Sequence, residues 1–176
     1  MERWDILDKN RNRTGKTVER GASMTQEEYH LVAQIWIVNS KNEFLISKRS
    51  PDKDMFPNLW ECTGGSAVSG DDSLKTALKE TKEELGIDLL PENGELFLSY
   101  RSKFLYGAAS FTAPSFTDVW VFKQDMDINS VVYQQGETCD AMWASKEKIL
   151  EMIDSGEFIG RDLFFYIDKL FREYVI

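Results

Sequence analysis

A chain of 176 residues, 42% of them hydrophobic, can close a substantial core, and its length favours one domain over residues 1–176. The formal net charge of -9 argues against a nucleic-acid partner, because a sequence-independent grip on phosphate backbones needs a basic surface. The longest apolar run, Leu31 to Val38, is broken by Gln34 and too short to cross a bilayer; with no basic-then-apolar leader at the N-terminus, no membrane association and a cytoplasmic location are expected.

In chain order, Trp4 to Leu7 and Lys16 to Glu19 read as short strands joined by the turn-rich Asp8 to Asn12. Thr14-Gly-Lys-Thr17 has the tail of a phosphate-binding loop, but its leading glycine would fall at Asn10 and no strand-to-helix setting surrounds it. Leu31 to Val38 and Phe44 to Lys48 read as a hairpin around Ser40 to Asn42. After a loop from Pro51 to Pro57, Trp60 to Thr63 reads as a strand running into Gly64 and Gly65. Leu74, Ala77, Leu78, Thr81 and Leu85 fall in one stripe at about 100° per residue, which predicts an amphipathic helix. Asp71 or Asp72 can cap it, and Gly86 followed by Ile87 is a left-handed stop. Further strands are expected at Leu96 to Tyr100 and Phe116 to Phe122, then helices at Ser145 to Asp154 and Arg161 to Tyr174. Strands mixed with three helices predict layered α/β packing.

The same wheel places Glu80, Glu83 and Glu84 within an arc of about 100° beside the apolar stripe. Glu83 and Glu84 stand in the last turn, where the helix dipole disfavours anions by roughly 0.3–1 kcal/mol each. The i,i+4 pair of Lys79 with Glu83 has the weaker orientation. A solvated charged face is the bland reading of such a cluster; a bound divalent cation would relieve its local cost. Oxygen-only ligands favour Mg²⁺, with Mn²⁺ as second choice, and one histidine without paired cysteines argues against zinc.

The 23 residues from Gly65 to Ile87 resemble the Nudix box, G-x5-E-x7-R-E-U-x-E-E-x-G-U with U apolar. Gly65, Glu80, Glu83, Glu84, Gly86 and Ile87 match in register; Asp71, Lys79 and Thr81 stand where the family has Glu, Arg and an aliphatic residue. The run Phe44 to Arg49, then Pro57-Asn-Leu-Trp60-Glu61, then Gly64-Gly65, is similar to the family's approach to the box. Trp4 to Asp8 and Tyr29-His-Leu resemble the subgroup near isopentenyl diphosphate isomerase. The resemblance implies a Nudix α/β/α sandwich with a mixed central sheet, with the box at 65–87 in a loop–helix–loop. It also implies a Mg²⁺-dependent pyrophosphohydrolase acting on a small, nucleotide-like diphosphate, and a homodimer as the plausible assembly.

On this reading Glu80, Glu83 and Glu84 hold metal, and Glu83 and Glu84 are also catalytic. Glu137, in the polar loop Gln134 to Thr138, is a candidate base or further ligand, although an exposed loop glutamate explains it as well. Arg49 is a candidate phosphate clamp. Trp60, Phe104, Tyr106 and Trp120 are candidate stacking surfaces for a base, with a core role the commoner use of strand aromatics. His30 is expected to be structural. Two other readings stand beside the hydrolase. An isomerase of this scaffold has a cysteine directly before the first box glycine and a histidine after it, where this chain has Gly64 and Ser66, with Cys62 two residues away. A nucleotide-binding Nudix module without turnover is the other.

Overall fold

Strands β1 (Arg3–Leu7) and β2 (Arg13–Glu19) pair antiparallel, Trp4 opposite Val18, in the computed structural model, which describes residues 2–106 and 111–175. The turn between them is organised by Asp8, whose carboxylate accepts from the backbone N–H groups of Asn10 and Asn12 at 2.8 and 2.9 Å. Thr14 to Thr17 lies within β2, so no phosphate-binding loop forms there.

A second, mixed sheet comprises β3 (His30–Val38), β4 (Phe44–Arg49), β5 (Trp60–Glu61), β6 (Thr63–Ser66), β7 (Gly94–Tyr106), β8 (Phe111–Lys123) and β9 (Thr138–Ala144). Its order among the described residues is β5-β4-β3-β8-β7, with β6 on β3 and β9 on β4. Helices α1 (Ser73–Leu85), α2 (Lys146–Ser155) and α3 (Ile167–Tyr174) complete an α/β arrangement.

Three departures from the sequence reading have local causes. The run expected as one strand at Trp60 to Thr63 divides at Cys62, because β5 pairs with β4 whereas β6 pairs with β3. Gly64 permits the second pairing: a Cβ there would lie 2.5 Å from the Ala33 carbonyl oxygen. Strand β9 had no signal, since its buried residues Thr138, Ala141 and Ala144 recur every third position instead of every second. The last helix begins at Ile167, six residues later than expected. Phe164 and Tyr166 are both buried there while Phe165 between them is exposed, so aromatic docking replaces helical periodicity in that stretch.

Contacts divide the chain into two units. The first takes residues 1–34, 64–80 and 96–120. Its core joins Trp4, Ile6, Met24 and Ala113 in one cluster and Leu7, Tyr29 and Phe116 in another. Arg11, at the hairpin tip with φ 69°, forks onto the buried Asp118, which also accepts from Ser99 at 2.5 Å. Burial opposes ionisation of Asp118, yet hydrogen bonds from Arg11, Ser73 and Ser99 hold its carboxyl below the usual range. The second unit takes residues 35–63, 81–95 and 121–176. Its core is aromatic: Trp36 meets Phe44, Phe158 and Phe164, and its indole N–H donates to the Tyr166 hydroxyl at 3.1 Å.

Candidate active site

Helix α1 begins where its sequence provides a cap. The Asp72 carboxylate accepts from the Lys75 N–H at 2.8 Å, and Asp72 O accepts from Thr76 N at 2.9 Å. Asp71 is buried and pairs with Lys75 at 2.6 Å. The buried face runs through Ser73, Ala77, Thr81 and Leu85, each four residues on, while Leu74 and Leu78 are half-buried at its border. This sets Thr81, fully buried, where the box pattern has an aliphatic residue. The helix stops at Gly86, φ 71°. Beyond it, the Val132 and Gln134 N–H groups donate to the carbonyls of Leu85 and Glu84 at 2.9 and 3.1 Å, so a distant loop satisfies the helix end.

Within the first unit, Glu80 faces Gly65. A Cβ at position 65 would fall inside the van der Waals envelope of the Glu80 carboxylate, so glycine is required for that carboxylate to lie there.

Within the second unit, the Thr63 hydroxyl donates to the Glu84 carboxylate. Two residues earlier Glu61 accepts from Arg49 Nη1 at 2.6 Å, and Arg49 Nε donates to the Met55 carbonyl at 2.9 Å. Lys53 pairs with Glu137, whose backbone carbonyl accepts from Ser50 N at 2.8 Å. Glu137 also belongs to the loop that caps α1 through Gln134. Three side-chain pairs, Thr63 with Glu84, Arg49 with Glu61 and Lys53 with Glu137, thus lie along the short segments 49–53 and 61–63. Burial pushes the Glu61 carboxyl above its usual range, while the Arg49 and Lys53 charges pull it back.

Arg49, Glu84 and Glu137, proposed from sequence, are therefore brought into one neighbourhood, and Glu83 lies exposed on the same turn of α1 as Glu84. Sequence reasoning passed over Glu61, Thr63 and Lys53. The available signal was no more than the nearness of Glu61 and Thr63 to Gly64 and Gly65 on the approach to the box. Trp60 is buried beneath the Lys48 ammonium and Trp120 is half-buried with its indole N–H on Ser73 at 2.7 Å, so both carry structural partners. The side chains of Phe104 and Tyr106 lie outside the described residues. Cys62 is buried, and burial pushes its thiol well above the ordinary value, with Glu61 and Glu84 pushing the same way.

Glu80, Glu83 and Glu84 offer oxygen donors alone, and the Gly65 cradle leaves the Glu80 carboxylate room that any side chain would remove. This set fits a hard divalent cation. Among the described residues no three His, Cys, Asp or Glu side chains are grouped closely enough to hold an ion; the Glu84 carboxylate instead accepts from Thr63. No described helix is long and apolar enough to cross a membrane.

The NUDIX domain family model matches residues 28–164. An uncharacterised Nudix hydrolase of Listeria monocytogenes is 37% identical over 173 residues, covering 98% of this chain and 95% of that protein. Isopentenyl-diphosphate Delta-isomerase 1 of Photorhabdus laumondii is 30% identical over 106 residues, covering 59% of this chain and 60% of the isomerase. A Deinococcus radiodurans crystal structure superposes with a TM-score of 0.72 at 22% identity, covering 96% of this chain and 98% of that one, a likeness of fold.

Proposed function

The chain belongs to the Nudix hydrolase family, and from that premise we propose that it cleaves the pyrophosphate bond of a small nucleoside diphosphate derivative, with Mg²⁺ held by Glu80, Glu83 and Glu84. A bound Mg²⁺ supplies charge neutralisation on the phosphate oxygens and lowers the pKa of an attacking water. Arg49 donates to a phosphate oxygen from its guanidinium. Glu137 accepts the proton of the water, and its pairing with Lys53 holds the side chain in place. The single observation that carries this reading is the pair of contacts two residues apart on the approach to the box, Thr63 on Glu84 and Glu61 on Arg49, which ties a helix carboxylate and a guanidinium to one segment.

The isomerase reading finds less support. Its chemistry needs a thiol within reach of a prenyl carbon, whereas Cys62 is buried and held protonated by its surroundings. The deciding experiment is a product screen with Mg²⁺ and Mn²⁺ over nucleoside di- and triphosphates, dinucleoside polyphosphates, nucleotide sugars, ADP-ribose and coenzymes. Cation-dependent release of a phosphate-bearing product is expected from at least one of them. Silence across the panel with both cations refutes turnover and favours a binding module.

A further inference from the structure

Glu61 lies outside the box and takes no part in the chemistry above, yet it fixes a group that does. Arg49 ends β4, its side chain 18% exposed. Its guanidinium is held at two points, Nε on the Met55 carbonyl at 2.9 Å and Nη1 on Glu61 Oε1 at 2.6 Å, and Nη2 takes part in neither bond. Two anchors on different nitrogens of a rigid plane define both its position and its tilt. The sheet register makes Glu61 the natural anchor. It stands opposite Ser47 on β4, and Arg49 is two residues further along, so its side chain leaves the same face. The Met55 anchor comes from a loop whose Phe56 and Asn58 have φ 50° and 62° and whose Lys53 is tied to Glu137.

Resting on the reading of Arg49 as a phosphate clamp, we propose that Glu61 is a positioning residue for phosphate recognition: together with the Met55 carbonyl it presents the Nη2 edge of Arg49 to the substrate. The arrangement has an opposite electrostatic sign to weigh, since a carboxylate beside a phosphate site repels the ligand. Positioning wins here because an unanchored arginine must lose its side-chain freedom on binding and then meets the phosphate in one of many orientations. Charge competition and positioning make different demands on the side chain. Competition is relieved by any neutral residue, whereas positioning needs an acceptor at the correct reach.

The test is calorimetric binding of magnesium pyrophosphate to the full chain, with KM and kcat measured on the substrate that the screen identifies. E61A and the shortened E61D are expected to weaken binding and raise KM about tenfold with kcat nearly unchanged, whereas E61Q, which keeps the acceptor, stays within about threefold of the parent. In an R49A background E61A adds nothing further, because its effect acts through the guanidinium. E61D and E61Q, close in size to glutamate, keep the comparison decisive if E61A does not fold. Tighter binding in E61A and E61Q, or an E61A loss that persists in full without Arg49, overturns the assignment. Weakened binding in R49A beside normal binding in E61A and E61D refutes the role of Glu61 and leaves the hydrolase reading intact. Undiminished binding in R49A removes the clamp and this inference together.

Discussion

His30 is the lone histidine of the chain, and its surroundings make it a test of how burial acts on a titrating group. It is 1% exposed, stacks on Trp4 with ring centroids 4.2 Å apart, and has Nδ1 3.1 Å from the Pro114 carbonyl. Its Nε2 is buried with no hydrogen-bond partner among the described residues. Burial drives the imidazole pKa down to about 4, against a smaller upward pull from Pro114. The folded protein therefore holds His30 neutral, whereas the unfolded chain takes up a proton below its ordinary pKa of 6.5. The resulting penalty on folding is absent above pH 6.5, grows as the pH falls, and saturates below about 4. At pH 4.5 it amounts to roughly 2–3 kcal/mol by linkage between the two pKa values. His30→Phe keeps a ring against Trp4 and removes the titration. Urea melts of parent and variant at a series of pH values are expected to diverge by that amount between pH 7.5 and 4.5. Carboxylates common to both proteins cancel in the difference. The His30 ring proton in the NMR spectrum should show no titration from pH 8 to about pH 5. Parallel stability profiles, or a ring titration centred near 6.5, would refute the reasoning.

Four further outcomes are expected. Glu84→Gln should reduce turnover by about 10²-fold or more while circular dichroism and melting stay near the parent's, since a carboxylate at a helix C-terminus carries no dipole benefit; near-normal kcat at saturating Mg²⁺ removes Glu84 from the site. Gly65→Ala drives a methyl group into the Glu80 carboxylate and should raise the Mg²⁺ concentration needed for half-maximal activity, with an unchanged requirement arguing against Glu80 as a ligand. If Glu137 is the base, Glu137→Gln lowers kcat by about 10²–10⁴-fold with little change in KM, and unaltered kinetics return it to a tether for Lys53. Cys62→Ala should cost about 1 kcal/mol of stability by removing a small buried group while leaving hydrolysis intact; interconversion of isopentenyl and dimethylallyl diphosphate by the parent, abolished in this variant, would establish the isomerase instead.

What could be read from sequence was what local chemistry decides. Helix α2 carries its own start signal, Ser145 accepting from Lys148 N, and that was legible; its stop, Gly156 at φ 78°, lies two residues past the end expected at Asp154. Helix α1 was legible for the same reason, and so was the flank bearing Glu80, Glu83 and Glu84. Strand β9 was not, because its identity comes from pairing with β4 around an irregularity at Lys48 and Arg49. The start of α3 was hidden because Phe164 and Tyr166 answer to the aromatic cluster about Trp36 and not to their neighbours in sequence. Arg49 could be singled out as a cation at a strand end, but its partner Glu61 could not. Their meeting depends on the register of β4 and β5, which no single segment specifies.

Connecting segments are where related chains ordinarily gain and lose residues, because nothing else depends on their length. The stretch from Val132 to Glu137 lacks that freedom. Two of its amides finish the hydrogen bonding of α1, one of its carbonyls receives Ser50, and its last side chain holds Lys53. Adding or deleting one residue there would pull at least one of these tethers out of register, uncovering the helix end beside Glu84 or releasing the loop that anchors Arg49. Diversification of substrate choice in this chain must therefore proceed by exchanging side chains along this segment at constant length.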